Sequence, residues 1–230
     1  MNNAIVTGAS SGIGKDIALY LIKNGFNVLG LSRSDPKIDD PNFKHHRIDL
    51  SKTSDISKNL KPIINNLESI DLLVHSAGFG LFGHHETLNI EKVQEMIDVN
   101  LSSPIKITSL CLRKIKMCKG TVIFISSITA RISASMGSAY AATKAGISSF
   151  ASNLFEENRK YGVKISNILP DITDTPFYNS LNFKPSSDNQ SFITTECIVN
   201  AVEMILKSRV ETVITEVVLR PQRVIIDFKR

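Results

Sequence analysis

The chain of 230 residues has few cysteines and no long apolar run. Its three cysteines, Cys111, Cys118 and Cys197, are odd in number and scattered, which disfavours a disulfide framework or a thiolate metal site and suggests reduced thiols in a cytoplasm. Because no stretch of about 18 apolar residues is present, no segment is expected to span a membrane. The opening residues, MNNAIVTGAS, lack a basic segment followed by a long apolar one, so no signal peptide is expected.

A continuous basic run is missing as well. The formal net charge of +5 comes from lysines and arginines spread along the chain without an RNA-binding motif, which disfavours nucleic-acid binding. An anionic small ligand, or simply a basic cytoplasmic protein, explains this charge better. Neither an internal repeat nor a domain linker is evident, so a single domain over residues 1–230 is expected.

The histidines do not predict a metal site. His45 and His46 are adjacent, and adjacent residues of a strand point to opposite faces, so the two cannot readily share one ion. No acid–histidine spacing is typical of zinc either. His84 and His85 either border a substrate site or are solvated loop residues.

Short apolar runs alternate with helical patterns along the chain. The predicted strands are AIVTG, NVLGLS, HHRIDL, LLVHSA, TVIFISS, VKISNIL and TVITEVVL. The first predicted helix begins near Ile13 and ends at Gly25, and the others cover about 54–68, 90–117, 138–160 and 194–207. Pro62 and Pro104 lie inside the second and third of these helices, where a proline removes a hydrogen-bond donor. This alternation predicts an α/β fold in which helices cover both faces of a doubly wound parallel sheet, a Rossmann fold. Such sheets bind ligands beyond the carboxyl ends of their strands.

A glycine-rich turn, TGASSGIG at residues 7–14, lies directly between the first strand and the first helix. Gly8 permits a tight turn, Gly12 lets the backbone approach a pyrophosphate, and Gly14 lets the helix pack closely on the strand. The helix N-terminus offers free N–H groups and a favourable dipole to phosphate. The spacing is GxxxGxG rather than GxGxxG, and its position at the start of an alternating chain favours dinucleotide binding.

The end of the second strand favours NADP over NAD. An acidic residue about 20 residues past the glycine turn would bind the 2′-hydroxyl of NAD. This chain has Ser32 and Arg33 there, and an arginine can pair with the 2′-phosphate of NADP, although Arg33 could also be a solvated loop residue. Asp35 follows slightly later and could be mistaken for the acid.

The motif YAATK places Tyr140 and Lys144 four residues apart, on one face of a helix. By itself this is either a surface pair or a phenol beside a cation. A nearby cation stabilises a phenolate and would bring a tyrosine of pKa about 10 toward acid–base behaviour at neutral pH.

TGASSGIG, VNLSS, FISS, YAATK and ILPDITDTP occur in that order, and together they resemble the short-chain dehydrogenase/reductase family over nearly the whole chain. The resemblance implies a nicotinamide-dependent oxidoreductase. Tyr140 is then the proton donor or base, and Lys144 holds the nicotinamide ribose and favours the phenolate. Ser127 binds the carbonyl oxygen, and Asn100 holds a proton-relay water.

The resemblance also implies the residues that contact the cofactor. Asp49 and Leu50 match residues beside the adenine, and Ala77 and Gly78 match a segment near the adenosine ribose. Thr175 matches a threonine near the nicotinamide amide, and Pro170 opens its segment. The full expected set is Gly8, Ser10, Ser11, Gly12, Ile13, Gly14, Arg33, Asp49, Leu50, Ser76, Ala77, Gly78, Tyr140, Lys144, Pro170, Thr173 and Thr175.

Two departures from the family pattern stand out. His75 and Ser76 replace the two asparagines of the usual NNAG, and Asp171 follows Pro170 where a glycine is usual. Asp171 could select a cationic or hydroxylated substrate, or merely cap a turn. The segment 176–193 is either a substrate lid or a surface loop.

These features predict an NADP-dependent oxidoreductase of a small alcohol or carbonyl compound that uses no metal. The resemblance also implies a homodimer or homotetramer, because helices 90–117 and 138–160 resemble those that build family dimers. The apolar residues of those helices could equally be internal core. The ending TVITEVVLRPQ resembles the subgroup that acts on 3-hydroxy acids or small carbonyls. The alternatives are a 3-oxoacyl-carrier-protein reductase and a non-catalytic NADP sensor.

Overall fold

The computed structural model describes residues 2–229 and shows a parallel seven-stranded sheet with helices on both faces, which confirms the predicted fold class. The strands of this sheet are β1 (Asn2–Thr7), β2 (Phe26–Ser32), β3 (Phe43–Arg47), β4 (Leu72–His75), β5 (Thr121–Ile125), β6 (Lys164–Pro170) and β8 (Glu216–Leu219). A separate antiparallel pair consists of β7 (Phe183–Pro185) and β9 (Ile226–Phe228).

Seven α-helices lie within the described residues: α1 (Gly12–Lys23), α2 (Thr53–Asp55), α3 (Lys61–Asn66), α4 (Ile90–Ile97), α5 (Ser103–Cys118), α6 (Ser138–Asn158) and α7 (Thr195–Leu206). π-Helical turns at Ile56–Leu60 and Asp98–Ser102 join α2 to α3 and α4 to α5. Pro62 and Pro104 stand at the starts of α3 and α5, directly after these turns. A widened turn accommodates a residue that cannot donate the next helical hydrogen bond. None of the helices in this described part of the chain is long and apolar enough to cross a membrane.

Alternating residues of the strands supply two cores, one on each face of the sheet. Ile5 and Leu73 point to the face covered by α3, α5 and α6, where Ile107 and Phe124 also lie. Ala4, Val6, Leu72 and Val74 point to the opposite face, where α1 and α7 pack. Burial on both faces explains the near-continuous apolar runs of β4 and β5.

The sheet order is β3-β2-β1-β4-β5-β6-β8. The chain runs outward from β1 to β3 and then returns to β4 on the other side of β1, which makes the carboxyl ends of β1 and β4 the point where the winding direction reverses. Ligands of open α/β sheets bind in the crevice at this point. The glycine turn lies there because it directly follows β1.

Several boundaries differ from the sequence predictions. β3 begins and ends earlier than HHRIDL, and only the second half of TVITEVVL forms β8. The segment 176–193 is more ordered than a plain loop, because it contains a 3₁₀ helix, Pro176–Ser180, and the strand β7. β7 pairs with β9, about 40 residues later in the chain, and neither strand is among the predicted ones.

Candidate active site

The glycine turn brings bare backbone to the mouth of the crevice. Gly8 and Gly12 have φ angles of 72° and 52°, which only glycine adopts without strain. A Cβ atom on Gly14 would lie 2.3 Å from the carbonyl oxygen of Gly8, and one on Gly8 would lie 2.8 Å from the Cα atom of Ala77. All three glycines are therefore required by the local geometry.

The N-terminus of α1 and this turn form one wall of a cavity of about 420 Å³. Most of the residues expected to contact a cofactor line it: Gly8, Ser10, Ser11, Gly12, Ile13, Gly14, Arg33, Asp49, Leu50, Ser76, Ala77, Gly78 and Thr175. The cavity follows the carboxyl ends of β1, β2 and β4, as expected for a ligand at the switch point. We refer to it below as the dinucleotide cavity.

Arg33 stands at the β2 end of this cavity. Its side chain is 67% exposed and makes only a long contact of 3.5 Å from Nη1 to Glu95 Oε1. Such an exposed pair is weak and leaves the guanidinium able to bind another anion. Asp35 does not line the cavity, and its carboxylate accepts hydrogen bonds from the backbone N–H and the ammonium group of Lys37.

A second cavity, of about 180 Å³, adjoins the first. Ile13, Ser76, Gly78, Thr175 and Phe177 line both. The remaining expected residues other than Asn100 line this second cavity: Ser127, Tyr140, Lys144, Pro170 and Thr173. We call it the substrate cavity.

Helix α6 presents Tyr140 and Lys144 to the substrate cavity from one face. Buried residues recur along α6 at spacings of three and four, including Thr143, Ile147 and Ser148, so this face packs on the sheet. Small side chains in SAYAATKAG allow that close approach. Tyr140 and Lys144 are only 7% and 6% exposed, which excludes the simple surface-pair interpretation.

Ser127 lies two residues beyond β5 and caps the 3₁₀ helix Ile128–Ala130, accepting a hydrogen bond from Thr129 N–H at 3.2 Å. Ser127 and Tyr140 line the substrate cavity together. Burial raises the pKa of Tyr140, and hydrogen bonding to Ser127 offsets only part of that rise. The phenol is therefore protonated at neutral pH.

The ammonium group of Lys144 does not contact the phenol oxygen in the way the sequence suggests. It donates to the carbonyl oxygen of Ile125 at 3.1 Å and lies 5.7 Å from the centroid of the Tyr140 ring. Burial lowers the pKa of Lys144 to about 8. The expectation that this cation lowers the pKa of Tyr140 is not met here, because both groups are removed from water and burial is the largest cause of each shift.

Asn100 lies behind the cavities, in the π-helical turn between α4 and α5. Its side-chain amide makes two hydrogen bonds to the backbone of Phe79: it donates to the carbonyl oxygen at 2.8 Å and accepts from the N–H at 3.1 Å. The amide also donates to the hydroxyl of Thr143. A Cβ atom on Gly78 would meet both Asn100 Oδ1, at 3.2 Å, and Lys144 Nζ, at 3.4 Å. Gly78 thus keeps a space open in front of both polar groups.

The two departures from the family pattern are accommodated structurally. His75 is buried, stacks on Phe124 with ring centroids 5.0 Å apart, and hydrogen-bonds Thr108 at 2.9 Å. Asp171 lines the substrate cavity, but its carboxylate accepts hydrogen bonds from the N–H of Ile172 at 2.9 Å and from Nε of Arg220 at 3.0 Å. The turn-capping interpretation of Asp171 therefore fits its observed contacts.

Sequence reasoning missed the aromatic part of the substrate cavity, to which Phe82, Phe177, Tyr178 and Phe183 contribute. Three of them lie in segment 176–193, which the sequence predicts only as a lid or loop. The sequence shows that segment 176–193 contains several aromatic residues, but they have no periodic spacing that would indicate which of them face the cavity. His84 and His85 are exposed and line neither of the two cavities.

The arrangement combines a protonated phenol, a hydroxyl and a buried ammonium group in one cavity, beside a second cavity with a phosphate-compatible turn. A phenol and a hydroxyl that meet in this way can hold a carbonyl or alcohol oxygen and exchange a proton with it. The N-terminus of α1 and its glycines can hold an anionic group.

Comparison with known proteins agrees with this geometry. The family model described as "short chain dehydrogenase" matches residues 2–185. An uncharacterised oxidoreductase of Staphylococcus epidermidis is 29% identical over 225 residues, covering 95% of this chain and 96% of that protein.

Solved structures also resemble the chain. An alcohol dehydrogenase from the archaeon Thermococcus sibiricus, complexed with 5-hydroxy-NADP, has a TM-score of 0.84 and 26% identity, covering 96% of this chain and 97% of that one. A 4-hydroxyisoleucine dehydrogenase complexed with NADH has a TM-score of 0.85 at 21% identity, covering 96% and 98% of the two chains. The second likeness supports the fold alone.

Proposed function

The chain belongs to the short-chain dehydrogenase/reductase family, an oxidoreductase family, and we propose that it is an NADP-dependent enzyme that interconverts a small carbonyl compound and its alcohol. One observation carries the proposal: Ser127, Tyr140 and Lys144 line a single cavity that adjoins the dinucleotide cavity. A single domain would then hold both the cofactor and the substrate.

The residues present fit a nicotinamide dinucleotide. The glycine backbone at the start of α1 leaves room and N–H groups for the diphosphate, and Gly78 leaves room in front of Lys144 for the hydroxyls of a ribose. Thr175 lines both cavities, Pro170 and Thr173 line the substrate cavity, and the three would hold the nicotinamide end. When bound, the nicotinamide supplies or accepts the hydride.

The preference for NADP over NAD rests on Arg33. Its largely exposed guanidinium borders the dinucleotide cavity and could form charge-assisted bonds with a 2′-phosphate. The acidic side chain nearest in sequence, Asp35, is engaged with Lys37. Similar proteins have been solved with NADP-type and NAD-type ligands, so the choice depends on this chain's own residues.

In the reducing direction, the hydroxyls of Ser127 and Tyr140 hold the carbonyl oxygen of the substrate. As that oxygen takes the electron pair of the C=O π bond, Tyr140 gives it the phenolic proton, while the carbonyl carbon would accept the hydride, with its electron pair, that a bound reduced nicotinamide supplies. The raised pKa of Tyr140 keeps this proton in place until the oxygen becomes basic. Lys144 would hold the ribose hydroxyls of the cofactor beside this site, and Asn100 would position water for the reprotonation of the phenolate.

The direct test is Tyr140→Phe, assayed with NADPH and with NADH against a panel of aldehydes and ketones. Loss of a general acid should lower the catalytic rate roughly 10²-fold or more. The substitution should leave the fold intact, which circular dichroism can check, because the ring remains in its aromatic surroundings. Turnover that survives would refute the role of Tyr140, and NADPH binding without turnover by the wild type would favour the sensor alternative.

We further propose that the protein acts as a homodimer or homotetramer. The expected interface helices contribute partly to the internal core, since Met96 on α4 is fully buried. Val93 and Ile97 on the same helix are half-buried and remain available to a second copy. Sedimentation equilibrium measures the mass directly, and a monomer would contradict the proposal.

A further inference from the structure

Five aromatic rings form a closed circuit at one end of the substrate cavity, and Tyr140 is one of them. The ring centroids are 5.3 Å apart for Tyr140 and Phe82, 5.1 Å for Phe82 and Phe183, 5.7 Å for Phe183 and Tyr178, 5.2 Å for Tyr178 and Phe177, and 5.9 Å for Phe177 and Tyr140. These separations are those of favourable tilted and edge-to-face pairs. Tyr140, the group expected to donate a proton, is therefore one member of a cluster of five aromatic rings. We call this cluster, Phe82, Tyr140, Phe177, Tyr178 and Phe183, the aromatic wall.

Two glycines make room for this wall. A Cβ atom on Gly80 would lie 2.5 Å from Phe82 Cε2 and 2.8 Å from Phe177 Cζ. A Cβ atom on Gly137 would lie 3.0 Å from Phe82 Cε1. The backbone on both sides is thus shaped around the Phe82 ring.

The ribbon formed by β7 and β9 holds the other side of the circuit. Phe183 stands opposite Phe228 in this ribbon, and the N–H of Lys229 donates to the carbonyl oxygen of Asn182 at 2.8 Å. The side chain of Lys229 also donates to the carbonyl oxygen of Asn179 at 3.1 Å. Backbone pairing with a distant part of the chain therefore stabilises the position of Phe183.

The charges that line the substrate cavity disfavour an anionic substrate. Among residues 2–229, only Lys144 and Asp171 are charged members of its lining. Lys144 is placed beside Gly78, at the junction with the dinucleotide cavity, and donates to Ile125. Arg220 neutralises Asp171 but does not itself line the cavity, so a substrate carboxylate would meet the carboxylate side of that pair. A buried charge without a partner is unfavourable.

We propose that the natural substrate class is an uncharged carbonyl compound, or the matching alcohol, that carries an aryl or similarly sized apolar group. Its oxygen lies at Ser127 and Tyr140, and its apolar group packs against Phe82, Phe177 and Phe183. This inference rests on the proposed function and narrows it, because it disfavours the 3-hydroxy acids suggested by the end of the sequence. Aromatic rings can also attract a cation. The nearby carboxylate of Asp171 is already paired with Arg220, so it offers no free counter-charge to a cationic substrate.

Matched substrate pairs test the charge preference. Benzaldehyde is compared with 4-carboxybenzaldehyde, and methyl acetoacetate with acetoacetate, each with NADPH and with NADH at pH 8. The uncharged member of each pair should have a kcat/KM roughly tenfold higher or more. Equal or better turnover of the carboxylates, or of an amino ketone over its uncharged analogue, would overturn the inference while leaving the oxidoreductase function intact. No turnover of any carbonyl would instead count against the proposed function.

Two variants test the aromatic wall. Phe82→Leu and Phe183→Ala should each lower kcat/KM for benzaldehyde about tenfold, mainly by raising KM, with a smaller effect on methyl acetoacetate. Tyr161→Ala is the matched control, because Tyr161 is an exposed aromatic residue outside the substrate cavity, and it should leave both substrates unchanged. Equal losses for the two substrates in the Phe variants would contradict packing against the aryl group.

Binding without chemistry gives an independent readout. Isothermal titration calorimetry in the presence of NADP should show benzamide binding roughly tenfold more tightly than benzoate. Phe82→Leu should weaken benzamide binding in proportion to its effect on KM. Tighter binding of benzoate than of benzamide would refute the uncharged-substrate proposal whatever the turnover results.

Discussion

Lys144 is an ammonium group held almost entirely away from water, and its burial should cost stability that can be measured. Burial lowers its pKa from 10.5 to about 8, a difference that corresponds to about 3 kcal/mol. Below pH 8 both the folded and the unfolded chain carry the proton, so the folded state bears the whole cost. Between pH 8 and 10.5 the unfolded chain binds more protons than the folded one, so this contribution makes stability rise with pH.

Lys144→Met removes the charge together with its hydrogen bond to Ile125. Removing the charge should stabilise the coenzyme-free protein at pH 7 by about 3 kcal/mol, whereas leaving the carbonyl oxygen of Ile125 without its donor costs about 1–3 kcal/mol. The net effect at pH 7 is therefore a stabilisation of roughly 1 kcal/mol. The pH dependence is more informative, because only the contribution of the charge changes with pH. The stability difference between variant and wild type should fall by about 2–3 kcal/mol between pH 7 and pH 10.

Urea unfolding of both proteins at pH 7 and pH 10, without coenzyme, measures this change directly. Lys58→Met is the matched control, since Lys58 is exposed on the π-helical turn before α3, and its stability difference from wild type should not vary with pH in this way. A Lys144→Met difference that stays constant between the two pH values would refute the reasoning. The same variant should also lose carbonyl reductase activity if Lys144 acts as proposed.

Three further predictions concern other parts of the molecule. Burial lowers the pKa of His75 from 6.5 to about 3, so the free energy of unfolding should fall by about 1.4 kcal/mol per pH unit as the pH drops from 6.5 toward 3. Urea unfolding of His75→Gln should show a shallower fall than the wild type, and equal slopes would contradict this. Gly14→Ala should weaken NADPH binding roughly tenfold or more in a fluorescence titration, because its Cβ would collide with Gly8; unchanged binding would disprove the need for close approach. Arg33→Ala should cost about 1.5–3 kcal/mol of NADPH affinity in the same titration but little NADH affinity, and equal losses would overturn the assignment to NADP.

The sheet and most helices could be predicted because their signals are local. Apolar runs bounded by turns indicate all seven strands of the parallel sheet, each within two residues at one end or the other. The glycine turn alone is enough to locate the crevice. Helix interiors are harder to predict. The π-helical turns before Pro62 and Pro104 depend on how the chain widens ahead of each proline, and continuous helical spacing carries no sign of this.

Contacts between distant segments could not be predicted in the same way. The ribbon of β7 and β9 joins residues about 40 positions apart through three-residue strands, which are too short to leave a periodic pattern. Because this ribbon positions Phe183, the aromatic end of the substrate cavity is hidden from sequence reasoning as well. The locations of Ser127, Tyr140 and Lys144 could be expected from their motifs, since each follows directly from one strand end or one helix face.

The electrostatics of the site depend on burial, which a motif does not specify. Spacing alone places a cation near a phenol and suggests a lowered pKa for Tyr140, whereas burial raises that pKa and lowers the pKa of Lys144. Lys144 has three N–H donors and uses one of them on Ile125. Because Gly78 has no side chain, space remains near Nζ, where a Cβ atom would lie 3.4 Å away. A ligand with hydroxyl groups in that space would satisfy a charge that the free protein leaves poorly solvated. Under the proposed function, binding of such a ligand would recover the stability that the free protein loses by burying Lys144.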